Sequence, residues 1–428
     1  MKKAIIIGIL AGIAAVPMVA QSGTNSPYSQ YGLGLLSDQS QGFSRGMDGL
    51  SLGFRQSNQV NALNPASYSS VDSMTMIFDA GLSGQISNLK EYGSSKNAYN
   101  ANVEYAVAAF RLFPKVGLSL GLLPFSNIGY NYQYKAKVNT SSTEATETNS
   151  GSGGLHQVYL GIGWNAYKAL SLGVNLSYLW GYYEKSVVSS LSDSYVNTVN
   201  ETYSATINSY KVDFGVQWEQ RFDKDNLLVI GATLGLGHKL GAKPQARITN
   251  RNSQTSVSSD TVFVVNNGLS IPMSYGLGLA LSHRNQWTIG VDYTLQKWGK
   301  LDFPETEKGT QNYVLTKGLL NDRSKLTVGG EWVPNALSQN FFRRIHYRMG
   351  ASYATPYYNM KGQNGPKEYS ISAGFGIPII NTYNNRSILN VSAQWSHASA
   401  PGKIVDNTFR INIGLTFNER WFMKWKFE

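Results

Sequence analysis

Five histidines, His156, His238, His283, His346 and His397, are the side chains of this 428-residue sequence best suited to acid–base or metal chemistry. A zinc protease site needs two histidines one helical turn apart with a glutamate between them, and none of the five stands in that pattern. The chain has no cysteine, which removes thiol nucleophiles, disulfides and cysteine-based metal sites together. Ser396 adjoins His397, but a nucleophile needs a base within hydrogen-bond reach and a third group to orient that base. The pair reads as ordinary strand polarity. Asp223-Lys224-Asp225-Asn226 has the oxygen donors of a calcium turn, and a plain hairpin turn accounts for it more simply. No glycine-rich run opens a helix as a phosphate-binding loop does. The sequence therefore predicts no catalytic residue, no metal and no cofactor, and the chain is expected not to be an enzyme.

What remains is charge. Lys and Arg number 37 against 26 Asp and Glu, a net +11. The basic residues come one or two at a time, often beside turns, with no basic run. No nucleic-acid partner is expected. An anionic membrane surface, lipid and lipopolysaccharide, suits the balance. Seven charges fall on what would be the polar faces of alternating segments: Lys211, Asp213, Asp292, Lys325, Glu331, Arg348 and Arg410. Opposite signs there can pair with one another or with a segment lying between them.

Those faces come from a period of two. Leu170, Leu172, Val174, Leu176, Tyr178 and Trp180 alternate with Ser171, Gly173, Asn175, Ser177 and Leu179, and 287–296 and 409–417 behave alike. Successive strand side chains point to opposite faces, so each segment has one apolar and one polar side. A soluble sandwich alternates too, but three features favour a membrane barrel. Aromatics recur at the ends of the apolar faces (Trp164, Trp180, Trp218, Trp287, Trp332, Trp395), as interface girdles require. Connections alternate between short ones, at Pro114, 165–168, 223–226 and 283–286, and long Ser/Thr/Asn-rich ones at 139–154 and 189–202. The chain opens MKKAIIIGILAGIAAVPMVAQSG, two lysines, an apolar run and small residues to Ala20, which is the pattern of a secretory signal peptide. No other run reaches the ~20 apolar residues of a spanning helix.

The expected architecture is all-β, a 14-stranded antiparallel transmembrane barrel. Its strands fall at 73–88, 102–112, 116–138, 155–165, 169–189, 203–221, 227–249, 260–282, 286–299, 324–333, 345–359, 367–377, 386–397 and 407–418. The organisation is a signal peptide at 1–20, an N-terminal segment at 21–72, the barrel at 73–418, and an aromatic and basic tail or final short strand at 419–428. The strands near 116–138, 169–189, 227–249 and 260–282 exceed the ~9–11 residues needed to cross, and are expected to project as a polar collar.

The N-terminal segment contains YGLG at 31–34 and SRGMDGLSLGFRQSNQVNALNPASY at 44–68. It resembles the start of the FadL-like (FadL/TodX-type) outer-membrane barrels on Arg45, Gly46, Gly49, Gly53, Val60, Asn64, Pro65 and Ala66. That resemblance implies a hatch, or plug, in the lumen. A polar irregular segment needs hydrogen-bond partners that lipid cannot offer and a lumen can. The stretch VGLSLGLLPFSNIGYNY at 116–132 looks like the family's third strand, which is interrupted to make a lateral exit, and Pro124 there lacks a ladder donor and should kink it. SPYSQYGLG, LNPASYSSVDS and NERWFMKWKFE are similar in style to Bacteroidota members. Some of these serve as subunits of larger machines, among them a type IX secretion component and the accessory barrel of the outer-membrane protein assembly (BAM) machinery. The expected place is the outer membrane of a Gram-negative bacterium. The expected role is a non-enzymatic subunit or scaffold that docks an assembly or secretion barrel and surface lipoproteins through its long outer strands. The alternative is a passive transporter of a small hydrophobic ligand, which the charged inward faces disfavour.

Overall fold

The computed structural model describes residues 23–91, 93–137, 143–193, 195–252, 254–255, 257–284, 286–307, 312–360, 362–379 and 387–420. The expected leader at 1–20 and residues 421–428 of the expected tail lie outside them, while 419 and 420 continue the last strand.

Alternating segments become fourteen antiparallel strands: β1 Thr75–Glu91, β2 Ser94–Phe113, β3 Val116–Lys137, β4 Glu144–Tyr167, β5 Leu170–Leu191, β6 Thr198–Arg221, β7 Asn226–Gly235, β8 Ser274–His283, β9 Trp287–Gln296, β10 Arg323–Trp332, β11 His346–Ala354, β12 Lys367–Ile379, β13 Ser387–Ser399 and β14 Val405–Arg420. Each pairs with its sequence neighbours, and β1 pairs with β14 from Thr75↔Arg420 to Lys90↔Val405, which closes the ring. Closure satisfies the backbone without a free edge in lipid.

The outward faces carry an apolar band, with Leu82, Leu160, Leu176, Ile289 and Ile413 each more than half exposed. Trp164, Trp218, Trp287 and Trp332 lie at the short-turn end of that band, Trp287 directly opposite Trp332. Trp180 and Trp395 lie towards the other end. On β5 the neighbour of Trp164 is Leu172, eight residues before Trp180. At ~3.3 Å per residue and a tilt near 40° the two rows stand roughly 20 Å apart, about the height of an outer-membrane band.

The long-loop side departs from the sequence-based boundaries. The polar stretches 144–154 and 198–202, expected as loop, are strand, so β4 and β6 reach 24 residues each against 10 for each of β7 to β10. Beyond the membrane a strand needs no apolar face, and Thr, Ser, Val and Asn hold a ladder there. Conversely, 227–249 and 260–282 are not single strands. β7 stops at Gly235, and Gln245–Arg251 starts again after Pro244; Ser258–Val264 and β8 are separated by Asn267, at φ 54°, and Pro272. Gln245–Arg251 returns to pair with β6 from Gln245↔Ser204 to Arg251↔Thr198, and Ser258–Val264 pairs with it in turn. The result is a tall collar sheet over β3 to β6.

Candidate functional site

The stretch from Gly23 to the start of β1 runs inside the ring, and wall side chains from nearly every strand meet it. Asn64 caps the two-turn 3₁₀-helix Pro65–Ser70, its Oδ1 accepting the Ala66 N–H at 3.2 Å. Its Nδ2 donates to Leu52 O at 2.9 Å and Val216 O at 3.3 Å, so one amide joins two parts of the segment to β6. Pro65 takes the first helical position, where no N–H is needed. Wall glycines admit the backbone: a Cβ on Gly163 would lie 2.5 Å from Pro65 O, on Gly350 2.7 Å from Met47 Cα, and on Gly374 3.1 Å from Gly46 Cα. From the other side, a Cβ on Gly53 would lie 2.8 Å from Ala280 N. Gly49 supplies a φ of 90°.

Charge fixes the docking. Arg45 meets Glu104 at 2.9 Å and Asn412 at 3.1 Å, both on the wall. Arg55 pairs with Glu219 and donates to Ser69 Oγ at 3.0 Å. Asp292 accepts the N–H groups of Ser51 and Leu52 at 2.7 and 2.8 Å. Lys325 reaches Asp48 O at 3.4 Å and lies 3.9 Å from Asp38. Glu331 takes Arg348 at 2.6 Å and the Gln56 amide at 3.1 Å, and His346 stands 3.1 Å away. Lys211 pairs with Asp213 on its own strand, and Arg410 donates to Gln85 at 2.8 and 3.0 Å. Of the seven sequence-selected charges, Asp292, Lys325 and Glu331 touch the N-terminal segment directly. Arg348 holds Glu331, while Lys211–Asp213 and Arg410–Gln85 close on the wall. Burial raises the Asp38 carboxyl, but Lys325, Arg45 and Arg410 outweigh it and hold Asp38 below the ordinary carboxylate range. A cavity of about 370 Å³ remains between these groups and the segment.

Pro124 marks a seam. β2 and β3 pair only as far as Ala106↔Leu122, and β3 bulges against β4 between Pro124 and Ser126. Beyond the seam the N-terminal segment takes the missing place: Leu35 and Leu36 pair with Asn127 and Ser126, and Ser37 N–H donates to Phe125 O at 3.0 Å. On the β2 side, Asn102 donates to Gly23 O at 3.0 Å and Asn25 to Tyr99 O at 3.3 Å. The same 15 residues thus bridge both lips of the seam.

The sequence reading missed an apolar storey above the charged one. Phe125, Ile128, Leu155, Leu179 and Ile207 point inward from the outer halves of β3 to β6, fully or almost fully buried, against Tyr28 and Leu33 of the N-terminal segment. Trp298 and Tyr357, rings 4.8 Å apart, complete it from the loops. The signal was present in the phase of β5, where the buried face changes from Asn175 and Ser177 to Leu179 and Tyr183. The five histidines are dispersed, and among the described residues no cluster of three or more His, Asp or Glu is placed to hold a metal.

A barrel with its N-terminal segment inside the ring and a seam at its third strand is a narrow description, and comparison with known families adds to it: the BamG model matches residues 1–428. The chain belongs to the BamG family. Its fold is that of FadL-like outer-membrane barrels. The Ralstonia pickettii toluene transporter TbuX is 13% identical with a TM-score of 0.61, covering 88% of this chain and 98% of that one. The P. putida toluene transporter TodX gives 14%, 0.61, 90% and 100%. A Pseudomonas aeruginosa FadL homologue gives 12%, 0.60, 90% and 98%. No curated protein matches the sequence. This BamG-family barrel resides in the outer membrane of a Gram-negative bacterium.

Proposed function

We propose that this BamG-family chain is a non-enzymatic subunit of an outer-membrane complex, the protein assembly machinery, with its lumen closed by a fixed plug and its collar given to partner proteins. The observation that carries the reading is the way the N-terminal segment is held. Arg45–Glu104, Arg55–Glu219 and the Asp292 carboxylate tie it to opposite sides of the ring. Truncating one partner of a buried pair such as Arg45–Glu104 costs about 3–5 kcal/mol, so a plug held by that pair and by further polar ties is a structural part and a poor gate. The family name supplies the machinery, and the collar supplies surface in excess of what spanning needs. Uptake of a small hydrophobic molecule is the weaker reading. It rests on toluene transporters only 13–14% identical, a likeness that carries the fold alone, and the lumen cavity here, though partly apolar, is also lined by the charges Lys211, Asp213, Asp38 and Lys325. The experiment is a gentle pull-down of the tagged full chain from native outer membranes, with bound proteins identified by mass spectrometry. Stoichiometric recovery of an assembly barrel with surface lipoproteins is the expected result. Recovery of the barrel alone would transfer the proposal to transport.

A further inference from the structure

Ser258–Val264 is the last strand of the collar sheet. Gln245–Arg251 pairs with β6 on one side and with Ser258–Val264 on the other, and beyond Ser258–Val264 no strand follows among the described residues. The ladder says which backbone groups are left over. Asn252 N–H donates to Val257 O at 3.0 Å and Val265 N–H to Pro244 O at 3.0 Å, so 257 and 265 are hydrogen-bonded positions. Bonded and non-bonded positions alternate in an antiparallel pair. Ser259, Thr261 and Phe263 therefore spend their N–H and C=O groups within the hairpin, while those of Ser258, Asp260, Val262 and Val264 point away from it. The side chains on this edge are open too, Val262 at 45% and Val264 at 49% exposure.

Solvent-facing edges are ordinarily guarded by lysine, proline or a bulge, and two other edges of this protein are guarded. Past the seam, β3 turns Gly129 N–H and C=O to Ser29 Oγ at 3.1 and 3.2 Å. By the same alternation Lys135 and Lys137 face the gap left by β2. The hairpin Phe303–Thr306 with Tyr313–Thr316 carries Pro304. Ser258–Val264, with sequence SSDTVFV, has no lysine, no proline and an unbroken register of seven pairs. We propose that this edge is a docking site at which an extended segment of another protein adds as one more collar strand. The backbone would supply the affinity, as in other strand additions. The outer face beside the edge sets the chemistry of the occupant. Arg247 pairs with Asp260 at 3.3 Å, and the exposed Arg251, opposite Ser258, has no carboxylate partner among the described residues. Arg247 stands opposite Val262 and Arg251 opposite Ser258, so the arginines and the exposed valines share one face, and the segment that fits presents β-branched and acidic residues together on that face, at every second position. The proposal rests on the assembly-subunit reading and says where on the chain the partner binds.

The test uses the full tagged chain in native outer membranes. Val262→Pro removes one edge-facing N–H and spares the hairpin ladder, because proline is tolerated on the unpaired side of an edge. Val262→Thr keeps the donor. Co-recovery of the partner should fall about tenfold with Val262→Pro, the scale of one lost inter-chain hydrogen bond, and stay at the unmodified level with Val262→Thr. Amide hydrogen exchange on the unmodified chain needs no variant to fold: the N–H groups of 258, 260, 262 and 264 should slow in the complex and exchange freely in the isolated barrel. Full recovery with Val262→Pro and unchanged exchange at these amides, with partners still present, would overturn the edge and leave the assembly role standing. Protection of the edge by a second copy of this chain would overturn the occupant. An unmodified chain that recovers no partner would instead sink the assembly reading itself, and the docking proposal with it.

Discussion

Arg45 is buried with its guanidinium divided among Glu104, the Asn412 amide and the carbonyls of Ser40 and Asp38. Removing it leaves Glu104 in the lumen without its cation, and a buried charge stripped of its partner costs about 3–5 kcal/mol. Arg45→Ala should therefore lower the temperature at which the folded, heat-modifiable form is lost on electrophoresis, and adding Glu104→Gln should restore part of it by removing the stranded charge. An unchanged transition in Arg45→Ala would show that the pair is not holding the plug. Asp38 gives a pH signature with a definite sign. Its folded pKa is depressed by Lys325, Arg45 and Arg410 against the opposing effect of burial. Its contribution is thus fully present above the unfolded carboxyl value of ~3.9 and is lost as pH falls through the lower folded value. The protection of amides 38–49 against hydrogen exchange, relative to their intrinsic rates at each pH, should be constant from neutrality to about pH 4 and fall below it. Asp38→Asn should be less protected at neutral pH and lose that acid-dependent step.

At the level of elements, the docking surface is a match between one short helix and several bare strand positions. Pro65–Ser70 lies against β4 and β5 where Gly163 and Gly173 present no side chain, and a Cβ on Gly173 would stand 2.5 Å from both Ala66 N and Pro65 O. Backbone at that distance cannot give way as a flexible side chain can. Gly173→Val should leave the barrel assembled and heat-modifiable while freeing 64–70 for limited proteolysis. Gly84→Val, at a position with open space around it, should cut no faster than the unmodified chain. Equal cutting of both variants would mean that the close approach does not hold the helix. None of this fit is legible locally. Asn64, Pro65 and Ala66 announce a capped turn, because cap and proline chemistry acts within a few residues. That the turn meets Gly163, Gly173 and Gly215 is a contact across about a hundred residues or more, and no sequence period encodes it. The seam is intermediate: Pro124 signals a broken ladder, but only the register shows that Leu35 and Leu36 fill it.

For the whole molecule, the ring was legible because lipid imposes a period of two on every crossing segment, and the count of fourteen and the short turns follow from that constraint. Above the membrane the constraint lapses, which is why 144–154 and 198–202 read as loop although they are strand, and why the inward Leu155, Leu179 and Ile207 were not anticipated as a core. The lumen therefore has a charged storey at membrane depth and an apolar one at its mouth, with one segment threaded through both. This arrangement predicts different consequences for polar and apolar solutes when the segment is removed. With 23–62 deleted, Arg348–Glu331, Lys211–Asp213 and Arg410 would line a water-filled passage, since lone aliphatic contacts to the plug are gone while the wall pairs remain. Liposomes carrying the deletion variant should swell in isotonic arabinose, and those carrying the full chain should not. Uptake of a hydrophobic probe such as toluene should be at background for both. A full chain that passes toluene, with the flux abolished by the same deletion, would mean that the segment is a selective gate, and the closed-lumen reading of this barrel would have to be withdrawn.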